Sequence, residues 1–232
     1  MKMSKSTLSL LKNFSSINPN LLVKPGSNLK TIASYQNIMA EATVAEDFPI
    51  QFGIWDLSKF LGVISMIQDP DFDFLEKHVV IRGKNGARVK YYYSDPKVLT
   101  ATDKSLNMPP SVVDCSISEE DFKETLRAAS VLQLPDIKIE SDSGKIVLKV
   151  CDQKDPTSNQ YSFDVGDTES EFSFGFKAEN FKMLPDAYDI SICETRVARF
   201  RAKSRDLVYY IAMESKSPKP VQYKTPNEEV PF

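Results

Sequence analysis

Apolar residues recur along this chain with two alternating periods. At 4–17, Leu10, Phe14 and Ile17 fall at i, i+4 and i+7 with Leu11 beside them, which predicts an amphipathic helix. After Pro19 the period shortens, and strands are predicted at 21–23, 29–33, 38–44 and 48–55, the first two joined by the turn Lys24-Pro25-Gly26-Ser27. Leu57, Phe60, Leu61 and Ile64 form a second helical stripe, and runs at 78–82 and 88–94 flank an Asn85-Gly86 hairpin turn. Between Asp95 and Ser111 the periodicity lapses, and Pro96, Pro109 and Pro110 mark an extended connector.

The same order then returns. Ser118-Glu119-Glu120-Asp121 begins a helix with Phe122, Leu126 and Ala129 on its apolar side. Strands follow at 137–140 and 145–150 around Asp142-Ser143-Gly144, then at 161–165 and 171–176, a short helix at 178–183, and strands at 188–192, 196–202 and 207–213. A shift of about 115 places Leu11 on Leu126 and Leu22 on Ile137, and one near 121 places Phe60 on Phe181. The shared order of helix, strands, short helix and strands predicts an α+β chain of two similar domains, at 1–110 with a connector from about 95, and at 111–215. Four prolines in the last 18 residues predict an extended tail at 216–232.

Composition adds the compartment and the class of partner. The 232 residues and 26.2 kDa suffice for a sizeable core without staples. The three cysteines, Cys115, Cys151 and Cys193, lack any paired spacing, which predicts a reducing environment. No run of 18 apolar residues or signal-like start is present, so the expectation is a soluble intracellular protein. The net charge of −3 hides a segregation. The first 40 residues carry five lysines and no acid, +5, against 24 basic and 32 acidic residues, −8, in the other 192. On the first helix Lys5, Ser9, Lys12 and Ser16 share one face without an acidic partner. Lys123 and Arg127 echo them on the second-half helix, where Glu120 dilutes the charge. Such faces predict contact with phosphates without sequence readout.

Chemistry beyond binding has little support. His78, the single histidine, lies in a strand-like run, and no CxxC or HxxxH spacing occurs. Gly83-Lys84-Asn85-Gly86 lacks P-loop spacing and a following helix. Asp69, Asp71 and Asp73 alternate with Pro70 and Phe72 in an edge-like segment, and Glu119, Glu120 and Asp121 occupy a helix start. The expectation is a non-enzymatic protein without catalytic residues, cofactor or metal.

Met1-Lys2-Met3-Ser4-Lys5, Leu10-Leu11-Lys12-Asn13-Phe14 and Ile17-Asn18 resemble the start of the T-even bacteriophage sliding clamps. Asp56-Leu57 with Phe60-Leu61-Gly62 resembles that family's second helix, and Glu120-Asp121, Leu126-Arg127 and Leu132-Gln133 resemble the first helix of its second domain. The resemblance covers most of the chain and ends before the Pro-rich tail.

It implies a DNA polymerase processivity factor in the cytoplasm of an infected bacterial host: a homotrimeric ring with sheets outside and helices lining a hole that holds duplex DNA without sequence specificity. Twelve helices at about 10 Å each would leave a hole near 28 Å. The cations Lys5, Lys12, Lys123 and Arg127 would face DNA, with Lys2, Lys59, Lys177 and Lys182 as further candidates. The implied partners are the phage DNA polymerase, held through a C-terminal peptide in a pocket at Leu99, Leu106 and Met108, an ATP-dependent clamp loader, and phage late-transcription factors with host RNA polymerase. Two alternatives stay open on the residues alone: a non-ring nucleic-acid-binding accessory protein using the same basic helix, and a β-rich phage structural protein.

Overall fold

A computed structural model describes residues 1–102 and 104–214; the predicted tail at 216–232 lies outside them. The described chain divides into two compact units, one of residues 1–107 with 182–184 and 205–210, the other of 108–181 with 185–204 and 211–214.

The first unit opens with α1 (Lys5–Ile17), started by Ser4, whose Oγ accepts the Thr7 N–H at 3.1 Å. Thr7, Leu10, Leu11, Phe14 and Ile17 are buried along one side. Four strands follow: β1 (Leu21–Val23), β2 (Gly26–Ile32), β3 (Ile38–Phe48) and β4 (Phe52–Ile54). β2 and β3 pair as a hairpin, but β1 pairs with β4, Leu21 opposite Ile54 and Val23 opposite Phe52. The turn predicted at Lys24–Ser27 therefore leads from β1 to β2 without pairing them as a hairpin. Leu21 and Val23 are buried and so is all of β4, so the two apolar segments satisfy each other's backbone in the interior. α2 (Leu57–Ser65) is capped by Asp56, whose Oδ1 accepts the Lys59 N–H at 2.8 Å. β5 (Asp71–Phe74), β6 (His78–Arg82) and β7 (Arg88–Tyr92) form a three-stranded sheet in that order. Phe48, Phe52 and Phe74 join the strands through ring contacts of 5.1–5.9 Å.

The second unit begins with β8 (Val113–Ile117), a strand not predicted above, although Val113, Cys115 and Ile117 alternate with Asp114 and Ser116. α3 (Glu119–Val131) has thirteen residues, as α1 does. β9 (Asp136–Asp142), β10 (Lys145–Cys151), β11 (Tyr161–Asp167) and β12 (Ser173–Lys177) make a sheet in the order β11-β10-β9-β12. β13 (Tyr188–Ile192) pairs on one side with β14 (Val197–Ala202) and on the other with β8; β15 (Leu207–Ala212), the last strand among the described residues, belongs to the first unit through residue 210. Phe176, Phe181, Tyr188 and Phe200 fill the core with edge-to-face contacts of 5.5–6.4 Å.

One predicted helix is corrected. At 178–183 the backbone makes only a 3-10 turn, Ala178–Asn180, without a side-chain cap. Six residues closed off by Pro185 are too few to offset helix nucleation, and Phe181 leaves helical geometry to enter the core. The described chain thus has three α-helices, and two helices per domain, the basis of the twelve-helix estimate, holds only in the first unit. The order of elements still repeats: α1, β1–β4, α2, β5–β7 against α3, β9–β12, the 3-10 turn, β13–β15.

Candidate nucleic-acid interface

α1 is amphipathic in an unusual way. Its buried side anchors it, while Lys5, Ser9, Lys12 and Ser16 are all exposed. Among the described residues neither Lys5 nor Lys12 pairs with a carboxylate, so both charges stay available to an external anion. α2 packs beside α1, leaving a groove of about 430 Å³ lined by Leu8, Lys12, Ser58, Leu61 and Ser65. Lys59, exposed on α2, and Lys182 are likewise without an ion pair among the described residues. Lys182 is brought to α1 by its main chain: Asn13 Nδ2 donates to the Lys182 carbonyl at 3.0 Å, and Asn13 Oδ1 accepts from the buried Tyr209 hydroxyl at 2.7 Å.

Three of the candidates are tied to acids, Lys2 and Lys177 by residues distant in the chain and Lys123 by one on its own helix. Lys2 is exposed but donates to both oxygens of Asp69 at 2.8 Å, and Lys84 reaches the same carboxylate at 2.8 Å. These hydrogen bonds hold the Asp69 carboxyl down at about 2. Lys177 is half-buried and bonded at 2.5 Å to Asp136, a buried carboxylate that also accepts the Gln153 N–H at 2.9 Å. The bond to Asp136 raises the Lys177 ammonium above its ordinary value. Its charge serves the fold of the second unit.

On α3, Lys123 and Arg127 are exposed, but Lys123 pairs with Glu119 one turn earlier at 2.5 Å, and three acids crowd the first turn. Those acids complement the helix N-terminus and thin the positive face that α1 keeps intact.

The origin of α1 depends on a residue that helix periodicity does not reveal. Glu46 of β3 is buried, and its carboxylate accepts the Ser4 N–H and, at 2.5 Å, the Thr7 hydroxyl. Burial pushes this carboxyl up, but the bonds from Thr7 and Ser4 outweigh it and hold Glu46 below the usual range.

The connector residues are distributed. Leu99 and Leu106 line a cavity of about 470 Å³ with Ile32, Met39 and Thr100, and it adjoins a hollow of about 320 Å³ beside Lys30 and Glu41. Thr102 and Ser105 line both. Met108 is half-buried and belongs to the second unit.

Residues 114–215 match the family model described as the gp45 sliding clamp, C terminal. The sliding clamp of Vibrio phage KVP40 is 30% identical over 222 residues, covering 93% of this chain and all of the relative. The chain belongs to the sliding clamps of T4-like phages. The clamp of Enterobacteria phage T4 is 29% identical over 226 residues, covering 94% of this chain and 98% of its own. Membership makes this clamp a replication processivity factor and not an enzyme. Two solved structures share its fold at 12% identity: A. fulgidus PCNA with the C-terminal region of FEN-1 bound, TM-score 0.68 over 93% of this chain and 98% of that one, and Thermococcus kodakaraensis PCNA, TM-score 0.66 over 90% and 96%.

Proposed function

We propose that the clamp closes into a homotrimeric ring around duplex DNA and tethers the phage replicative polymerase, in the cytoplasm of the infected host. The observation that carries this reading is the exposed, acid-free face of α1 with Lys5 and Lys12 unpaired among the described residues. Two cations on a rigid helix, with no cluster of base-reading side chains around them, hold phosphates loosely and leave the duplex free to slide.

Self-assembly is supported by two open sheet edges. Among the described residues β7 pairs only with β6 and exposes Arg88, Lys90 and Tyr92, whereas β11 pairs only with β10 and exposes Asp164 and Asp167, the latter paired with Lys145. Exposed edges recruit further strands, and a basic edge in one unit matched by an acidic edge in the other favours head-to-tail joining, which closes into rings. Light scattering should give three times the 26.2 kDa chain mass. A 26 kDa species that persists with loader and DNA would refute the ring.

Polymerase capture is assigned to the connector cavity. A C-terminal peptide is the expected occupant, and the archaeal PCNA neighbour holds one from FEN-1. An ATP-dependent loader would open the ring, and the loaded clamp would serve phage late transcription as a mobile activator with host RNA polymerase.

Reversing both charges, Lys5→Glu with Lys12→Glu, should abolish measurable binding to short linear duplex and impair loading, while the melting temperature moves by less than about 2 °C, because surface changes seldom exceed about 0.5 kcal/mol. A large fall in melting temperature would place these lysines in the fold or an interface.

A further inference from the structure

The start of the connector is fastened by side-chain amides from the end of α1. Asn18 and Asn20 flank Pro19 and are both buried. Asn18 Nδ2 donates to the Thr100 carbonyl and to the Ile32 carbonyl, each at 2.6 Å, and Asn18 Oδ1 accepts the Asn20 N–H at 2.8 Å. Asn20 Oδ1 accepts the Thr100 N–H at 2.9 Å, and Asn20 Nδ2 donates to the Trp55 carbonyl at 2.6 Å. The Thr100 backbone is therefore bonded on both sides, as a strand residue would be, but by two side chains about 80 residues away. Just before it, Ser94 N donates to the Gly53 carbonyl at 2.9 Å, and Leu99 lies so close over Gly53 that a Cβ there would meet it at 2.7 Å.

The cavity assigned above to the polymerase peptide is lined by Leu99, Thr100, Ala101 and Leu106 on its connector side and by Ile32 and Met39 on the other. Asn18 bonds a carbonyl on each side, Ile32 and Thr100. We infer that Asn18 and Asn20 are positioning residues for partner capture: they set the width of this cavity and join it to α1, the helix carrying Lys5 and Lys12. The inference rests on the connector cavity being the polymerase site. A groove whose walls are held in one geometry binds without first selecting a minor conformer, so loosening a wall weakens binding by the lost fraction of competent molecules.

Asn18→Asp keeps the acceptor for Asn20 N–H but turns a carboxylate oxygen on the two wall carbonyls. Asn20→Asp keeps the acceptor for Thr100 N–H and turns a carboxylate oxygen on the Trp55 carbonyl, which does not line the cavity. Each variant buries one new acid, so a purely structural penalty would weaken both alike. The probe is a synthetic peptide of the C-terminal residues of the phage's own DNA polymerase, titrated onto the full chain, with hydrogen exchange of the Thr100 amide read in parallel. Expected are binding about tenfold or more weaker for Asn18→Asp and for Asn20→Ala, binding within about threefold of wild type for Asn20→Asp, and Thr100 protection lost in Asn20→Ala but kept in Asn20→Asp. Equal weakening by the two Asp variants, or undiminished binding by Asn18→Asp and Asn20→Ala, would overturn the inference alone. Failure of the wild-type chain to bind would overturn the cavity assignment and this inference with it. If Asn18→Asp fails to fold, the Asn20→Ala and Asn20→Asp pair decides the question.

Discussion

Loaded onto circular duplex DNA, the clamp should stay bound at salt concentrations that abolish its binding to linear DNA, and cutting the circle should release it. A surface binder that neutralises about six to ten phosphates loses about 10³–10⁵ in affinity between 50 and 200 mM salt, because each contact releases condensed counterions. The face available here is sparser. Among the described residues Lys5 and Lys12 on α1 pair with no acid, but Lys123 is shared with Glu119 and Lys177 is consumed by Asp136. With a screening length of about 8 Å at physiological salt, so few cations give a weak hold on a short duplex. In the proposed ring, closure round the strand would replace affinity with topology, and the lifetime on a circle would become that of ring opening. The measurement is retention of labelled clamp on circular and linearised plasmid across a salt series after loading. Equal retention on both forms would refute encirclement and favour an accessory protein docking through the same helix.

The largest single-residue effect on stability should come from Glu46→Ala. The carboxylate satisfies the Ser4 N–H and the hydroxyl of Thr7, and Thr7 is itself buried, so water cannot take its place. Two orphaned donors at a helix start cost roughly 2–4 kcal/mol, or roughly 5–15 °C in melting temperature for a chain of this length. Glu46→Gln keeps an oxygen for Ser4 and should lose less than about half of that. The pH dependence has a defined sign. A carboxyl held below 4.5 in the folded chain contributes stability that is fully present above the unfolded value and is lost as the pH falls through the folded value. Denaturation midpoints should therefore fall more steeply below pH 4.5 for wild type than for Glu46→Gln. Unchanged melting and unchanged amide exchange in the first turn of α1 would show that Glu46 does not hold the helix.

The sequence by itself determined the helices that begin both halves, because an apolar stripe and a charge-bearing face are written within thirteen residues and the cap in the residue before them. Ser4, Leu10, Phe14, Lys5 and Lys12 could be assigned to sides of α1 without knowing what lay beneath. The order of most strands was legible for the same reason, since alternation is local, although β5 and β8 were not predicted.

Pairing was not. Strand 21–23 reads equally well as a partner of its neighbour in the chain, and its union with 52–54 was settled by the arrangement that pairs the two segments where both are buried. The fate of individual charges was also decided by folding. Lys177 and Lys182 are alike in sequence, but one meets Asp136 from 41 residues away and the other stands exposed beside α1. Glu46, Asn18 and Asn20 carry no sequence signal of their tasks, because the groups they satisfy are orphaned only once a helix end or a connector is placed against them. Local periodicity fixes what an element is; a buried polar group's partner is fixed only by the free energy of the assembled interior.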